Sequence, residues 1–332
     1  MKKFFPQFES DFRKLLDACA GRNIAVVGHL RPDGDCISSE FALADLLEKS
    51  GAGKVVCLNE HPIPHLYVNF AYSRELLSAE AFDDKSFEIV TVDCADYSRT
   101  NKALCERFPN PLAAIDHHAT NSGAARINII DPSAAATAEL IAGLACDAGL
   151  EISKHNADRL LMGIVMDTRS FTTSSTRGLT YEIAAMLSER GADSAFVAQQ
   201  LYQRERPEKL ALLAIYLKSL RSHFGGKLRL GTLTLADYAE SGAEKADSDG
   251  LVDYARSIDG AEIGALLEEL KIGVKGSLRS KDPAMRVSDI AKMFGGGGHF
   301  AAAGFTAKGE TLDSFMPKFL EAVESSILKY HK

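Results

Sequence analysis

Asp116-His117-His118 is a dense run of side chains able to ligate metals or move protons, and it has counterparts elsewhere. Upstream stands His29-Leu30-Arg31-Pro32-Asp33-Gly34-Asp35, between the two lies Asp93, and further on is Asp167. Each group follows an apolar run that would deliver it to one edge of a sheet or the end of a helix. Asp33, Asp35, Asp93 and Asp167, packed together without cations, would repel, and some would have to protonate. Two divalent ions remove that penalty. Oxygen and imidazole ligands without thiolate suit Mn²⁺, Mg²⁺ or Co²⁺ better than structural Zn²⁺. Two such ions about 3.5–4 Å apart can share a hydroxide and polarise a phosphoryl oxygen. The chemistry these residues point to is metal-assisted hydrolysis.

The groups differ in weight. Pro32-Asp33-Gly34-Asp35 alone reads equally well as an acidic surface turn, because these are ordinary turn residues. On extended backbone Asp33 and Asp35 would point to opposite sides and serve different ions. Gly34 would permit the sharp turn. Asp93 at the end of a β-run could equally cap a helix. Asp167, taken alone, is a polar helix end. Two adjacent histidines beside an aspartate are harder to explain that way; one imidazole can bind metal while the other faces substrate.

The elements that must position them are read from periodicity. Apolar runs over 23–28, 54–58, 87–92 and 112–115 alternate with helical segments such as 39–49, which predicts an α/β fold around a parallel sheet. Ligands of open parallel sheets bind outside the carboxyl ends of the strands. His29, Asp93 and Asp116 fall at that edge. From about 135 to 205 the pattern is mostly helical, and an apolar helix over 157–166 delivers Asp167. A further helix from 206 to about 220 leads to strands over 228–235, 262–270 and 273–278 and a closing amphipathic helix over 311–328. The expected organisation is an N-terminal α/β domain over 1–190, a helical connector over 191–222 and a smaller C-terminal α/β domain over 223–332.

That second half carries its own signals. Arg279 ends a strand and could fork onto a phosphate, although a solvated arginine is the commoner reading. Gly295-Gly296-Gly297-Gly298-His299 exposes backbone N–H groups and permits close approach of a phosphate or nucleotide. A flexible surface loop is the plainer account of the same glycines.

Composition sets the outer limits. The chain has 332 residues, 46% hydrophobic and 25% charged, as in ordinary globular proteins. A net charge of −7 argues against a broad basic groove for long duplex DNA. A short phosphorylated ligand remains compatible if metals and local arginines supply the positive charge. No apolar run is long enough for a membrane span. Glu9, Asp11, Arg13 and Lys14 interrupt the N-terminal apolar region, which reads as an amphipathic helix rather than a signal peptide. The six cysteines form no Cys-x-x-Cys pair and read as free, buried thiols of a reducing cytoplasm. His61 and His65 lie in a proline-rich loop without other ligand types nearby.

Taken in order, HLRPDGD at 29–35, VDCAD at 92–96, DHH at 116–118, MDT at 166–168, GSLRS at 276–280 and GGGGH at 295–299 span nearly the whole chain. The set resembles the DHH phosphoesterase superfamily, in the subgroup with a DHHA1 C-terminal domain. Length and layout resemble the stand-alone type acting on very short RNA and on 3′-phosphoadenosine 5′-phosphate (pAp). The resemblance implies that His29, Asp33 and Asp93 hold one Mn²⁺, and Asp35, Asp93, His117 and Asp167 the other. It implies that His118 contacts the scissile phosphate and that Asp116 orients its neighbours. Arg279 with Gly297, Gly298 and His299 would grip the substrate end. Cys36, Ser38 and Arg169 depart from the family's usual small residues and glycines, without removing a ligand. The implied activity is hydrolysis of short oligonucleotides to mononucleotides and of pAp to AMP. Cyclic di-AMP or pApA are the alternative substrates on the same site. A catalytically silent nucleotide-binding module fits less well, because every implied ligand is present. The implied partners are short single-stranded RNA or a nucleotide and no membrane; a homodimer is compatible, though no motif requires it.

Overall fold

Strands buried on both faces need continuous apolar runs, and those runs build the first sheet. In a computed structural model that describes residues 3–331, the strands are β1 (Asn23–Val27), β2 (Val55–Asn59), β3 (Leu76–Ser78), β4 (Phe87–Val92), β5 (Ala113–Asp116) and β6 (Ile127–Ile130). Their order is β3-β2-β1-β4-β5-β6 and every pairing is parallel. The chain runs outward from β1 to β3, then crosses back to place β4 on the other side of β1. The strand order therefore reverses between β1 and β4, where open α/β sheets leave a crevice at the carboxyl edge. Periodicity did not reveal β3 and β6. Both are short, and β6 has only Ile129 fully buried.

The helices set the depth of that crevice. Asp33 caps the helix Gly34–Lys49 by accepting the Cys36 N–H at 3.1 Å. This corrects the expectation of extended backbone through 33–35 and of a helix starting at 39. The aspartate before the glycine satisfies an orphan N–H, so helix starts at once. Helix Lys154–Asp167 packs against Gly34–Lys49 and Thr137–Asp147 at Gly163. A Cβ there would lie 2.2 Å from Ser38 Oγ and 2.6 Å from Ala138 Cβ, so glycine sets the close approach of the three helices. At the N-terminal end, Glu9–Cys19 is the expected amphipathic helix and buries Phe12, Leu15 and Cys19.

The chain divides into two compact units between Arg204 and Glu205. Helix Ser194–Tyr202 belongs to the first and helix Pro207–Ser219 to the second, so the stretch 191–222 is shared between them. The second unit holds β7 (Arg221–His223), β8 (Leu228–Leu233), β9 (Ile263–Leu270), β10 (Gly273–Ser280), β11 (Gly297–His299) and β12 (Ala302–Lys308). They form a mixed sheet in the order β11-β12-β10-β9-β8-β7, with only β8 and β9 parallel. Val274 and Leu278 face a core shared with helices Val287–Met293 and Leu312–Tyr330, while Lys275, Ser277 and Arg279 alternate to the other side, half-buried. Over β8 and β9 that other side is covered by Leu212, Tyr216 and Leu251. The glycine run is not a plain loop, because Gly297–His299 pairs with β12.

Among the described residues no helix is long and apolar enough to cross a membrane. Cys19, Cys36, Cys57 and Cys94 are buried, Cys105 and Cys146 partly so, and none is bridged.

Candidate metal centre

The first group forms where β1 and β4 end side by side. His29 follows β1 by two residues and Asp93 directly follows β4. His29 Nε2 lies 3.5 Å from Asp93 Oδ2 and 3.7 Å from Asp33 Oδ1. Its Nδ1 is 2.8 Å from the Leu30 carbonyl, which can only accept, so Nδ1 carries the proton and Nε2 is presented to the carboxylates. Asp93 is 2% exposed and holds a left-handed backbone, φ +49°, a costly conformation for a residue with a Cβ. That turn brings its carboxylate back over the sheet edge, where Oδ1 accepts the Thr137 hydroxyl at 3.0 Å.

Asp35 enters from the helix side. It is fully buried, and its two oxygens accept the backbone N–H groups of Thr137 at 2.7 Å and Ala138 at 2.9 Å. The positive end of helix Thr137–Asp147 thus meets this carboxylate. Burial and the charges of Asp93, Asp167 and Asp33 nevertheless push its pKa well above the usual carboxylate value.

The third group ends β5. His117 Nδ1 faces the Ala134 carbonyl at 3.4 Å, leaving Nε2 3.2 Å from Asp167 Oδ2 and 3.6 Å from Asp93 Oδ1. His118 turns differently: its Nδ1 is bound to Asp116 Oδ1 at 2.8 Å. Asp116, 1% exposed, also accepts the His117 N–H and the Asn121 Nδ2, each at 2.8 Å. Burial alone would raise the Asp116 pKa, but His118 and Asn121 hold it below the usual range. The hydrogen bond that His118 Nδ1–H donates to Asp116 is the main reason the His118 pKa rises.

Asp167 completes the cluster from the end of helix Lys154–Asp167. Burial, only partly offset by His117, pushes it up to about 6. Burial would lower the His29 pKa, but Asp33 and Asp93 outweigh it and push it up to about 11. The raised values of Asp35, Asp167, His29 and His118 share one meaning: without a cation these groups hold protons that ordinary aspartates and histidines would release. A divalent ion would take their place, so the donor set fits a metal. Among the described residues, three sets of donor atoms each lie within 4.8 Å of one another: His29–Cys36–Asp93, Asp93–His117–His118 and Asp35–His117–Asp167. Asp93 and His117 each belong to two of them. Cys36 was not expected among them. Its sulfur comes near the site from the first turn of the helix, and burial raises its pKa well above the usual thiol value, so it is a thiol rather than a thiolate.

Four residues around the cluster escaped the sequence reading: Thr137, Asn121, Glu40 and Asn59. Thr137 and Asn121 touch the aspartates directly, as described. Glu40 and Asn59 lie behind His29. None is distinctive in sequence, since polar residues at helix starts and strand ends are common.

The remaining expected site residues lie in the second unit. Arg279 on β10 and His299 on β11 both pair with Ala302 of β12. Directly paired residues share a face, so Arg279, Ala302 and His299 form one row. Gly297 and Gly304 pair in the next row on that face, beside Ser277. Gly298 points to the opposite face.

Known proteins share both halves of this arrangement. Residues 23–164 match the DHH family, N-terminal domain, and residues 211–329 match the DHHA1 domain. Over 312 residues the chain is 31% identical to the bifunctional oligoribonuclease and PAP phosphatase NrnA of Thermus thermophilus, covering 92% of this chain and 90% of that protein. It is 25% identical over 282 residues to the protein of the same name from Bacillus subtilis, covering 83% and 86%. The crystal structure of an exopolyphosphatase-related protein from Bacteroides fragilis matches with a TM-score of 0.88 at 24% identity, over 100% of both chains, and shares the fold. With both domains matched in order and a 31% identical relative aligned over most of its length, the chain belongs to the DHH family, with a DHHA1 domain at its C-terminal end.

Proposed function

We propose that the protein is a metal-dependent phosphoesterase that hydrolyses short oligonucleotides to mononucleotides and releases the 3′-phosphate of pAp. The observation that carries the reading is Asp93, whose two oxygens face two imidazoles, His29 on one side and His117 on the other. A carboxylate shared in this way suits two adjacent cations. His29, Asp33 and Asp93 would hold one, and Asp35, Asp93, His117 and Asp167 the other. Mn²⁺ is the ion we assign, from the oxygen-rich donor set. Bound there, such ions supply Lewis acidity and make water acidic enough to act as a nucleophile near neutral pH.

The protein's own residues would do the rest. His118 has Nδ1 occupied by Asp116, so Nε2 is the atom it offers to a phosphoryl oxygen or a proton. Asp116 fixes that orientation. In the second unit, the shared row of Arg279 and His299, with the Gly297-Gly298 backbone beside it, supports a grip on a phosphate or nucleotide end. A grip made of a few end contacts suits short substrates in a chain of net charge −7. The oligoribonuclease and PAP phosphatase names of the relatives from Thermus thermophilus and Bacillus subtilis agree with this substrate class. We assign catalysis to the N-terminal domain and the substrate grip to the C-terminal one. The unbridged cysteines fit the cytoplasm.

The test is Mn²⁺-dependent turnover of di- to decaribonucleotides, pAp, pApA and cyclic di-AMP by the purified protein. Release of mononucleotides from the shortest RNAs supports the proposal. Preference for pApA or cyclic di-AMP would replace the substrate and keep the site. Asp93→Ala should abolish turnover; wild-type kcat in that variant would refute the shared-carboxylate assignment.

A further inference from the structure

Behind the metal centre a second polar group grips the backbone that carries His29. Glu40 lies on the inner face of helix Gly34–Lys49 and is fully buried beside Ile37 and Phe41. A carboxyl in that position is costly unless donors meet it. Its Oε1 accepts the Gly28 N–H at 2.6 Å, the Asn59 Nδ2 at 3.1 Å and the Cys36 thiol at 3.6 Å. Asn59, 3% exposed at the end of β2, also donates to the His29 carbonyl at 3.1 Å, and its own oxygen accepts the His61 N–H at 3.2 Å. The backbone is thus held on either side of the Gly28–His29 pair, at the Gly28 N–H before it and the His29 carbonyl after it. Glycine at 28 makes the contact attainable: a Cβ would lie 2.2 Å from Cys36 Sγ and 2.5 Å from Glu40 Oε1.

We propose that Glu40 and Asn59 are positioning residues that set His29 for divalent-cation binding without touching the cation. The inference rests on the metal reading above and is independent of the substrate. His29 Nε2 must meet Asp93 and Asp33 at once, and its ring direction follows from where its own backbone is pinned. Loss of the clamp would free the backbone on either side of His29 and would weaken the ion that His29 helps to hold. The ion held by Asp35, His117 and Asp167 would be affected much less. A network that served only stability would lower the melting temperature and leave both affinities alone.

The experiment is calorimetric titration of the full chain, stripped with EDTA, with MnCl₂ alone. It compares wild type with Asn59→Ala, Glu40→Ala and Glu40→Gln, with the melting temperature of each measured without metal. Asn59→Ala and Glu40→Ala should weaken one of two Mn²⁺ binding events by roughly 10- to 100-fold, the usual cost of removing a partner that orients a ligand. Glu40→Gln keeps an oxygen acceptor for Gly28 and Asn59 and should bind Mn²⁺ nearly as wild type does. A folded Asn59→Ala protein with wild-type affinity at both sites overturns the proposal, as does Glu40→Gln binding no better than Glu40→Ala. If Glu40→Ala does not fold, the other two variants decide. Wild type that binds no Mn²⁺ would instead remove the metal reading itself.

Discussion

Replacing Asp116 by asparagine separates orientation from metal binding. Asp116 contributes no atom to the three groups of donor atoms, yet its oxygens take three donors: His118 Nδ1, the His117 N–H and Asn121 Nδ2, each at 2.8 Å. Asparagine is nearly isosteric but has a single acceptor oxygen. If that oxygen serves the two histidine donors, the new NH₂ meets the Asn121 NH₂ head-on. Asn121 cannot simply flip, because it also donates to the Cys94 carbonyl at 3.1 Å and accepts the Gly123 N–H at 2.9 Å. The His118 contact also loses its charged acceptor. A hydrogen bond to a charged group contributes about 1.5–3 kcal/mol. At about 1.4 kcal/mol per decade, its loss in the transition state lowers kcat roughly 10- to 100-fold. The assay is steady-state hydrolysis of a short RNA at saturating Mn²⁺, with Mn²⁺ affinity measured separately. We expect kcat to fall while Mn²⁺ affinity stays near wild type. Unchanged kcat would show that His118 needs no such support. Mn²⁺ affinity lost as completely as in Asp93→Ala would make Asp116 a ligand and refute the assignment.

Three other outcomes follow from the same geometry. Asp167, Glu40 and His29 have pKa values raised from 3.8 to about 6, 4.5 to about 8 and 6.5 to about 11. The folded metal-free protein therefore holds more protons than the unfolded chain, and its stability falls as pH rises through these windows. EDTA-treated protein should lose melting temperature from roughly pH 5 to 9, and a rise over that range would contradict the buried-charge account. Mn²⁺ at a hundredfold excess over its Kd should add about 2.7 kcal/mol. For a unit of this size that is roughly 5–10 °C by differential scanning fluorimetry, and no shift would mean the cluster binds no ion. Arg279→Ala should raise KM and leave kcat largely intact, if its contact is the same in ground and transition states; an equal fall in kcat and kcat/KM would place it in the chemistry instead.

How much of this was legible in sequence depends on how local each determinant is. The placement of His29, Asp93 and Asp116 at one sheet edge follows from short apolar runs, because a buried parallel strand needs such a run and must end where polar residues begin. The Asp167 position follows the same logic for a helix. The short strands β3, β6 and β11 carry too few buried residues to announce themselves. Residues 33–35 were misread as extended because a turn and a capped helix start use the same residue types; only the hydrogen bond from Cys36 N–H to Asp33 distinguishes them. Thr137 lies 44 residues from Asp93 and 102 from Asp35, so no window of sequence could join them. They meet because Gly163 lets three helices close over the sheet edge. The Glu40–Asn59 clamp likewise depends on β1 and β2 lying side by side. Local sequence carries the chemical types at the site, the α/β class and the strand ends that bear most of the proposed ligands. The tertiary structure alone decided which oxygen faces which imidazole, since that depends on helix packing and strand order, which are non-local and fixed to fractions of an ångström.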